Sequence, residues 1–477
     1  MKEAGQKTNP GRRLVFCHPA GSIAAPMNFP ADAPDSPRAG RRRWQLVGQN
    51  AGAQILSRLV SGLCQLALVP LLLHRLGTDT FGWVMAAVAC VALSQFADLG
   101  VAMALQQNLS EAWARRDFAA AQHTYVAGAR LLLLLGAAWF VVAGPLAWWI
   151  GRLVPAPDVR GFALDSPLAC LLIALTACVG VPLSAGPRRA AAVQLGWLHA
   201  GWTAAANVLT LLAAVAWSRS ANASAATVVA LLCAGQLAPG LATALHLARR
   251  LAWPAAPAAS RDEMRRLWRA GLPFAAPNLA GAALQALTPL AFARFGGYGA
   301  SAAFAVLQRL FGVAQQGHAL LLGPLWPAYA DAATRGDHAW VRRTLRLSLI
   351  FTAATCAAVA AGTIALPLIL AAWLGDRAPT ISPSFAWLVA AWAIASMFAQ
   401  ALSFLLLGLG KLSAIAGLIA LTHLLTLAAL ALLGSQFGGT GVAAAIAAGA
   451  TLGTLPLLAR ASLAALRIGP ADSAAVR

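Results

Sequence analysis

Three arginines of this 477-residue chain lie inside long apolar stretches, where no water stabilises a charge. Arg58 and Arg309 fall near the middle of such stretches and Arg130 lies about one turn into another, whereas Asp98 is the one acidic residue well inside an apolar stretch. A bare charge in hydrocarbon costs several kcal/mol, so such residues usually face a protein interior or a watery cavity. An interior with more positive than negative charge indicates that the protein handles something anionic.

Amide side chains accompany these arginines at helical spacing, since residues three or four apart share one face of a helix. The stripes are Gln54, Arg58, Ser61 and Gln65 in the first stretch, Asn278, Gly281, Gln285 and Thr288 in the seventh, and Arg309, Gly312 and Gln316 in the eighth. Amides in membrane helices often only hydrogen-bond a neighbouring helix, and that alternative stays open for each of them. Arg58 lies about 16 Å deep at 1.5 Å per residue, which favours a cavity role. The candidate cavity residues are Arg58, Gln65, Asn278, Gln285, Arg309 and Gln316.

Asp98 and Arg130 form a second candidate pair, both about 8–10 Å inside the same face of the membrane. A structural ion pair between adjacent helices is the leading interpretation, and the alternative is a carboxylate that binds a proton or sodium ion. His318 could titrate near neutrality, although an interhelical hydrogen bond is the favoured interpretation for it. The seven cysteines show no paired spacing, so no metal site is expected.

Composition places the chain among the helical membrane proteins, because 60% of its residues are hydrophobic, only 10% are charged and the mean hydropathy is +0.70. A span needs about twenty apolar residues. Twelve spans are predicted, at residues 46–73, 81–105, 125–150, 167–185, 199–217, 225–247, 271–293, 301–323, 344–374, 385–409, 412–433 and 438–459.

Lysine and arginine are distributed unevenly around these spans. Of 35 such residues, 26 lie in the terminal segments and even-numbered loops, with Arg346 at the start of the ninth span counted among them, and six lie in the odd-numbered loops. The positive-inside rule therefore predicts that both termini are cytoplasmic. The net charge of +20 is spread over short clusters without interleaved aromatic residues, which argues against nucleic acid as a partner.

The chain repeats itself after 220 residues. The shift places Arg58 on Asn278, Gln65 on Gln285, Gly77 on Gly297, Gln95 on Gln315 and Asp98 on His318, and it also aligns the loop 111–119 with 331–339. Because each copy holds six spans, the copies are parallel repeats. We therefore predict an all-α polytopic membrane protein with about twelve helices in two pseudo-symmetric six-helix lobes.

The predicted domains are a disordered basic cytosolic leader (1–45), an N-terminal lobe (46–247), a linker (248–270), a C-terminal lobe (271–460) and a cytosolic tail (461–477). Within the linker, residues 261–270 are expected to form an amphipathic helix with Met264, Leu267 and Trp268 on one side. Such a helix would rest on the anionic inner leaflet. A solvated linker is the alternative.

Motifs that carry catalysis are absent from the sequence, which has no phosphate loop, paired carboxylates or nucleophile elbow. The longest outer loop, residues 151–166, has only Asp158 and Asp165 as acidic residues. We expect a protein that is not an enzyme and needs no cofactor. A membrane glycosyltransferase or polymerase, which would need long outer loops with catalytic groups, is the alternative from another class.

The order of several short motifs resembles bacterial polysaccharide (O-antigen) flippases of the multidrug/oligosaccharidyl-lipid/polysaccharide exporter superfamily, over residues 44–460. The matching segments are Pro70-Leu-Leu-Leu-His-Arg-Leu-Gly77, Phe81-Gly82, Ala97-Asp98-Leu99-Gly100, Arg115-Arg116-Asp117, Pro324-Leu-Trp-Pro-Ala328, Arg335-Gly336-Asp337 and Trp373-Leu-Gly375. The chain departs from many relatives in having no acidic residue in span 7, which puts cation coupling through that helix in doubt.

The resemblance implies a MATE-like fold in the bacterial inner membrane, with spans 1, 2, 7 and 8 around the cavity. It also implies a cargo, an undecaprenyl-pyrophosphate-linked oligosaccharide, with Arg58 and Arg309 on the pyrophosphate and Gln65, Asn278, Gln285 and Gln316 on sugar hydroxyls. The implied partners are that cargo, membrane lipids, and the polymerase and chain-length machinery. A cation-coupled multidrug exporter of the same superfamily is the main alternative, and a lipid II flippase differs only in cargo.

Overall fold

The structure, a computed structural model, describes residues 37–91, 97–153, 166–220, 225–250 and 260–467. The side chains of residues 37–47, 153, 225, 273, 274, 276–278, 413 and 467 lie outside that description. Gln45–Arg477 forms one compact unit, and Met1–Trp44 is counted as a separate one.

The described residues are helical apart from turns and contain no strand. The helices are α1 (Pro37–Ala89), α2 (Val101–Ala114), α3 (Phe118–Leu153), α4 (Ser166–Leu183), α5 (Ala185–Ala192), α6 (Gly196–Arg219), α7 (Ala225–Arg250), α8 (Arg261–Leu322), α9 (Leu325–Thr334), α10 (His338–Ile364), α11 (Leu366–Leu374), α12 (Pro383–Gly408), α13 (Ala416–Ala448) and α14 (Leu455–Arg467).

Within these described residues, nine helical stretches are long and apolar enough to cross a membrane. Three of the nine are of double length, because each runs through a glycine with a positive φ angle, at Gly77, Gly297 and Gly438. Each double stretch overlaps two predicted spans, although the first reaches only residue 89 of the span predicted at 81–105. The nine stretches therefore overlap all twelve predicted spans. The predicted all-α polytopic membrane architecture is thereby confirmed.

The internal repeat is visible in the backbone. Gly77 and Gly297 have nearly the same non-helical geometry, with φ and ψ of 73° and 169° in one and 78° and 172° in the other. Only glycine adopts such a conformation without strain from a Cβ atom. The turns that follow match as well, since the amide of Asp117 donates to Ala112 at 3.0 Å and the amide of Asp337 donates to Ala332 at 2.9 Å. Equivalent sequence positions thus form equivalent turns.

The second span differs from its prediction as one continuous helix over 81–105. Helix α1 ends at Ala89, α2 begins at Val101, and Leu99 and Gly100 between them have φ angles of 50° and 81°. Residues 92–96, which include Gln95, lie outside the described part of the chain. In the second repeat the part of α8 after the kink at Gly297 continues as one helix to Leu322. The two repeats therefore differ in their second helices.

The predicted linker helix forms, and its apolar side packs against protein instead of lipid, while its arginines are exposed. Residues from Arg261 onward are the first turns of α8, and Leu267 is fully buried. Leu267 and Met264 pack against Ala104 of α2 and Ala127 of α3. These contacts cover the apolar face with protein from the first repeat.

Two predicted terminal boundaries also move. Helix α1 begins at Pro37, inside the segment 1–45 that was expected to be disordered, while residues 1–36 lie outside the description. Helix α14 extends to Arg467, seven residues into the predicted tail 461–477, of which residues 468–477 are not described.

The largest core joins the two repeats. It contains Phe81 from the first repeat together with Phe292, Phe304 and Phe385 from the second, and the rings of Phe292 and Phe304 stack at 4.5 Å between centroids. Because lipid tails are as apolar as these side chains, close packing rather than transfer from water stabilises such contacts in a membrane. This core holds the helices that position the candidate site.

Candidate functional site

An arginine of the second repeat contacts an amide of the first. Arg309 lies on α8 beyond the kink at Gly297, and Gln65 lies on α1 before the kink at Gly77. The Nη1 of Arg309 donates a hydrogen bond to Oε1 of Gln65. Arg309 forms no ion pair with a carboxylate in the part of the chain that the structure describes. Its positive charge is therefore held by a neutral partner.

These two residues line a small pocket between α1 and α8. Its walls are Gly62, Gln65 and Leu66 on α1 and Gln308, Arg309, Gly312, Val313 and Gln316 on α8. The cavity measures about 30 Å³, which is room for about two water molecules. In this arrangement it cannot hold a sugar, so any larger ligand must enter after the helices separate or from an open side.

The two repeats also meet closely at the pocket-lining residue Leu66 and, further along both helices, at Gly82. The Oγ of Ser301 donates to the carbonyl of Gly82 at 3.0 Å, and Nε1 of Trp373 donates to the carbonyl of Leu66 at 3.3 Å. A Cβ atom on Gly82 would lie only 2.0 Å from the carbonyl oxygen of Tyr298, so glycine is required for this approach. The stripes of polar residues did not predict these contacts. The sequence signals at these contacts were the Phe81-Gly82 and Trp373-Leu-Gly375 motifs.

Arg58 is exposed and stands on the same side of α1 as the pocket. Seven residues separate it from Gln65, which places it about 20° away around the helix and about 10 Å along the axis. The adjacent Ser61 is buried and accepts a hydrogen bond from Asn207 of α6 at 3.1 Å. The first stripe thus divides into a packing position at Ser61, a pocket-lining residue at Gln65 and an exposed arginine at Arg58.

The remaining candidate cavity residues have different surroundings. Gln316 lines the pocket with Arg309, as predicted from their spacing. Gln285 is exposed on α8 and is not among the lining residues. The side chain of Asn278 lies outside the described part of the structure. The structure therefore brings together Gln65, Arg309 and Gln316 of the predicted set.

The predicted ion pair between Asp98 and Arg130 is not formed in the described structure, where Asp98 is buried and Arg130 is exposed. Because the helix is interrupted at this point, Asp98 caps its own turn, and its Oδ1 accepts the amide hydrogen of Gly100 at 3.0 Å. This bond stabilises the left-handed conformation of Leu99 and Gly100. Sequence periodicity gave no sign of that break.

His318 makes the interhelical contacts that were favoured for it. Its Nε2 lies 2.8 Å from Oγ1 of Thr352, its Nδ1 lies 3.1 Å from Oε1 of Gln400, and its ring stacks on Phe351. It is almost completely buried. The surroundings are those of a structural residue. Across the described residues, no three His, Cys, Asp or Glu side chains are grouped so that they could hold a metal ion.

Comparison with known proteins gives one family and several structures of the same fold. A family model described as polysaccharide biosynthesis protein matches residues 47–333. No individually curated protein sequence matches the chain.

Among solved structures, the chain is similar to a multidrug resistance MATE family transporter of the MOP superfamily in its inward-facing conformation, with 15% identity and a TM-score of 0.60 over 88% of this chain and 93% of that one. The outward-facing conformation of a multidrug resistance MATE family transporter of the MOP superfamily is similar at 15% identity, with a TM-score of 0.57 over 88% of this chain and 95% of that one. The chain is also similar to a MOP superfamily transporter from Pyrococcus furiosus, for which a reverse polarity of the binding pocket suggests a different function. The identity is 15% and the TM-score 0.56, over 89% of this chain and 95% of that one. At these identities the similarity establishes a MATE-like fold.

Proposed function

Since the chain belongs to the polysaccharide biosynthesis protein family, we propose that this multi-pass membrane transporter flips an undecaprenyl-pyrophosphate-linked oligosaccharide. The cargo would move from the inner to the outer leaflet of the bacterial inner membrane, for assembly of a surface polysaccharide such as O-antigen. The partners in this proposal are the lipid-linked cargo, the surrounding lipids, and the polymerase and chain-length machinery that would act on the product.

The observation that carries the proposal is the neutral partner of Arg309. An arginine held by a carboxylate is neutralised, whereas Arg309 donates to the amide of Gln65 and keeps its full charge for a ligand. A guanidinium group offers several donors in a planar fork, which suits a phosphate group. Cationic drugs would be repelled by it, so the pocket supports an anionic cargo over the multidrug alternative. The different function suggested for the Pyrococcus furiosus transporter also rests on the polarity of its pocket.

Arg58 extends the cationic surface away from the narrow pocket. Arg58 lies about 10 Å from Gln65 along α1, towards the cytoplasmic end of the helix, and on nearly the same face. A ligand that approaches the pocket from the cytoplasmic side would therefore contact Arg58 first and Arg309 afterwards. Its exposure leaves the guanidinium group free to bind. Gln308 and Gln316 lie beside Arg309 and provide amide donors and acceptors for sugar hydroxyls.

For alternating access, the contacts that close the outer side of the protein must break when the cargo is released. With both termini cytoplasmic, as the distribution of arginine suggests, the contacts of Gly82 with Ser301 and of Leu66 with Trp373 close the outer side. A hydrogen bond from a charged donor contributes about 1.5–3 kcal/mol, so a phosphate that replaces Gln65 as the partner of Arg309 offsets the loss of their contact. Binding of the cargo would thereby weaken one of the interactions that keep the outer side closed.

The test replaces Arg309 in cells that depend on this chain for surface polysaccharide. Arg309→Gln is expected to lower polymer export at least about tenfold, since one lost charged hydrogen bond of about 1.5 kcal/mol or more corresponds to that factor. Arg309→Lys should retain part of the export, because it keeps the charge without the planar fork. The measurements are surface polymer, accumulated lipid-linked oligosaccharide and the amount of folded protein in the membrane.

The matched control is Arg294→Gln, the same change on the same helix at an exposed position outside the pocket lining. It should leave export unchanged. Full export by Arg309→Gln, with normal amounts of folded protein, would show that the cationic pocket does not bind the cargo. Drug resistance conferred by the unmodified chain on sensitive cells would favour the multidrug alternative instead.

A further inference from the structure

Three exposed arginines stand at the start of α10. Arg342, Arg343 and Arg346 lie within about one turn of one another, and none of them forms an ion pair within the described residues. By contrast, Arg335 in the preceding turn contacts Asp331 at 2.9 Å. The start of α10 therefore carries three arginines that no ion pair among the described residues neutralises.

Arg342 and Arg346 form one end of a shallow surface groove of about 400 Å³ along α10, which is widely open on its outer side and lined by this helix alone. The lining residues are Arg342, Leu345, Arg346, Leu349, Ile350 and Ala353. Their spacing of three and four residues places them on one face of the helix, whereas Arg343 lies about 100° away from Arg342 around the axis. The groove is thus cationic at its mouth and apolar along the rest of its length.

The position of the groove matches the geometry of a membrane lipid. Its cationic end follows the turn at residues 335–337, which the charge distribution places at the cytoplasmic surface, and its apolar end runs along α10 towards the hydrocarbon. Basic pockets on the cytoplasmic side of membrane helices bind anionic headgroups. We propose that this groove binds an anionic phospholipid, with the phosphate on Arg342 and Arg346 and an acyl chain along Leu349, Ile350 and Ala353.

The first repeat shows that topology alone does not require these arginines. The turn before each third helix has an arginine at the same position, Arg115 in the first repeat and Arg335 in the second, each paired with an acidic residue. At the positions equivalent to Arg342 and Arg346, however, the first repeat has Gln122 and Val126. The cationic mouth is therefore a feature of the second repeat that the first repeat, with the same number of spans, does not share.

The experiment titrates fluorescent phosphatidylglycerol into the purified full-length protein in a neutral detergent, with phosphatidylethanolamine as the zwitterionic comparison. Arg342→Gln and Arg346→Gln should each weaken phosphatidylglycerol binding about fivefold, the factor that corresponds to about 1 kcal/mol per arginine. Arg343→Gln removes the same charge beside the groove and should leave binding unchanged. Phosphatidylethanolamine should bind more weakly and respond to none of the three changes.

Three results would overturn the proposal: equal weakening by Arg343→Gln, which indicates diffuse surface charge, equal affinity for the two lipids, or complete displacement of the lipid by inorganic phosphate. Thermal unfolding of each variant shows that the fold is intact. The readout is lipid binding alone, so its failure leaves the polymer-export test at Arg309 unaffected.

Discussion

Replacing Gly82 with alanine tests how the two repeats meet. A Cβ atom at this position would lie 2.0 Å from the carbonyl oxygen of Tyr298 and 3.1 Å from the amide nitrogen of Ala302. Both are backbone atoms that cannot rotate away, and an uncrowded contact needs at least about 3 Å, so the two backbones must separate by about 1 Å. The hydrogen bond from Ser301 to the Gly82 carbonyl, now 3.0 Å, would lengthen to about 4 Å and be lost.

The substitution destabilises the arrangement in which the two repeats are in contact at Gly82. Overpacking costs about 1–3 kcal/mol and the lost hydrogen bond about 0.5–1.5 kcal/mol. A transporter that opens at this contact relieves the clash by opening, so the population of the opened arrangement should rise roughly tenfold to a thousandfold. The assay is labelling of Gly62→Cys, a pocket-lining position where a Cβ atom meets nothing within 4 Å, by a membrane-impermeant maleimide added outside intact cells. Labelling should become faster in the Gly82→Ala background and polymer export should fall.

The control is Gly317→Ala on the same helix as Ser301, where a Cβ atom meets nothing within 4 Å. This change gains helix propensity of up to about 1 kcal/mol and should alter neither labelling nor export. If Gly82→Ala labels and unfolds like Gly317→Ala, the reasoning is refuted, because the repeats then do not meet closely at this point.

Three further predictions concern stability, measured as the thermal unfolding midpoint of the purified protein. Arg116→Gly should stabilise by up to about 1 kcal/mol, because Arg116 has a φ of 59° that costs an L-residue energy. Thr352→Val should destabilise by about 1–3 kcal/mol, since it leaves buried His318 without one of its partners. Leu267→Ala should cost about 2–5 kcal/mol because Leu267 is fully buried, whereas Leu272→Ala, at a side chain 53% exposed, should cost little. Equal effects at the two leucines would contradict the packing of the start of α8.

The repeated backbone features could be predicted from sequence because local chemistry determines them. Gly77 and Gly297 occupy equivalent positions, and both have φ angles that disfavour any residue with a Cβ atom. In the turn after each second helix an aspartate side chain accepts from the amide three residues later, at 2.9 Å in both Asp117 and Asp337. Such interactions involve near neighbours in the chain, so an aligned sequence is enough to infer them.

Features that depend on distant partners could not be inferred in this way. Leu267 was predicted to face the membrane, because the residues that bury it, Ala104 and Ala127, lie more than 130 positions earlier in the chain. The break at Leu99 has no glycine at its first left-handed position and lies within an apolar pattern that also fits a continuous helix. Asp98 was paired with Arg130 from depth alone, and depth does not determine which way a side chain points around its helix.

The two arginines of the candidate site are not related by the repeat. The residue equivalent to Arg309 is Ala89, and the residue equivalent to Arg58 is Asn278. A pseudo-symmetric scaffold therefore carries its cations on different helices of opposite repeats. An anion that contacts both must bridge the repeats, so under the proposed function its binding energy changes when the contact between Arg309 and Gln65 breaks. A ligand shifts a conformational equilibrium only by such a difference in affinity. The asymmetric placement of charge is thus what would let an anionic cargo bias a nearly symmetric fold towards opening.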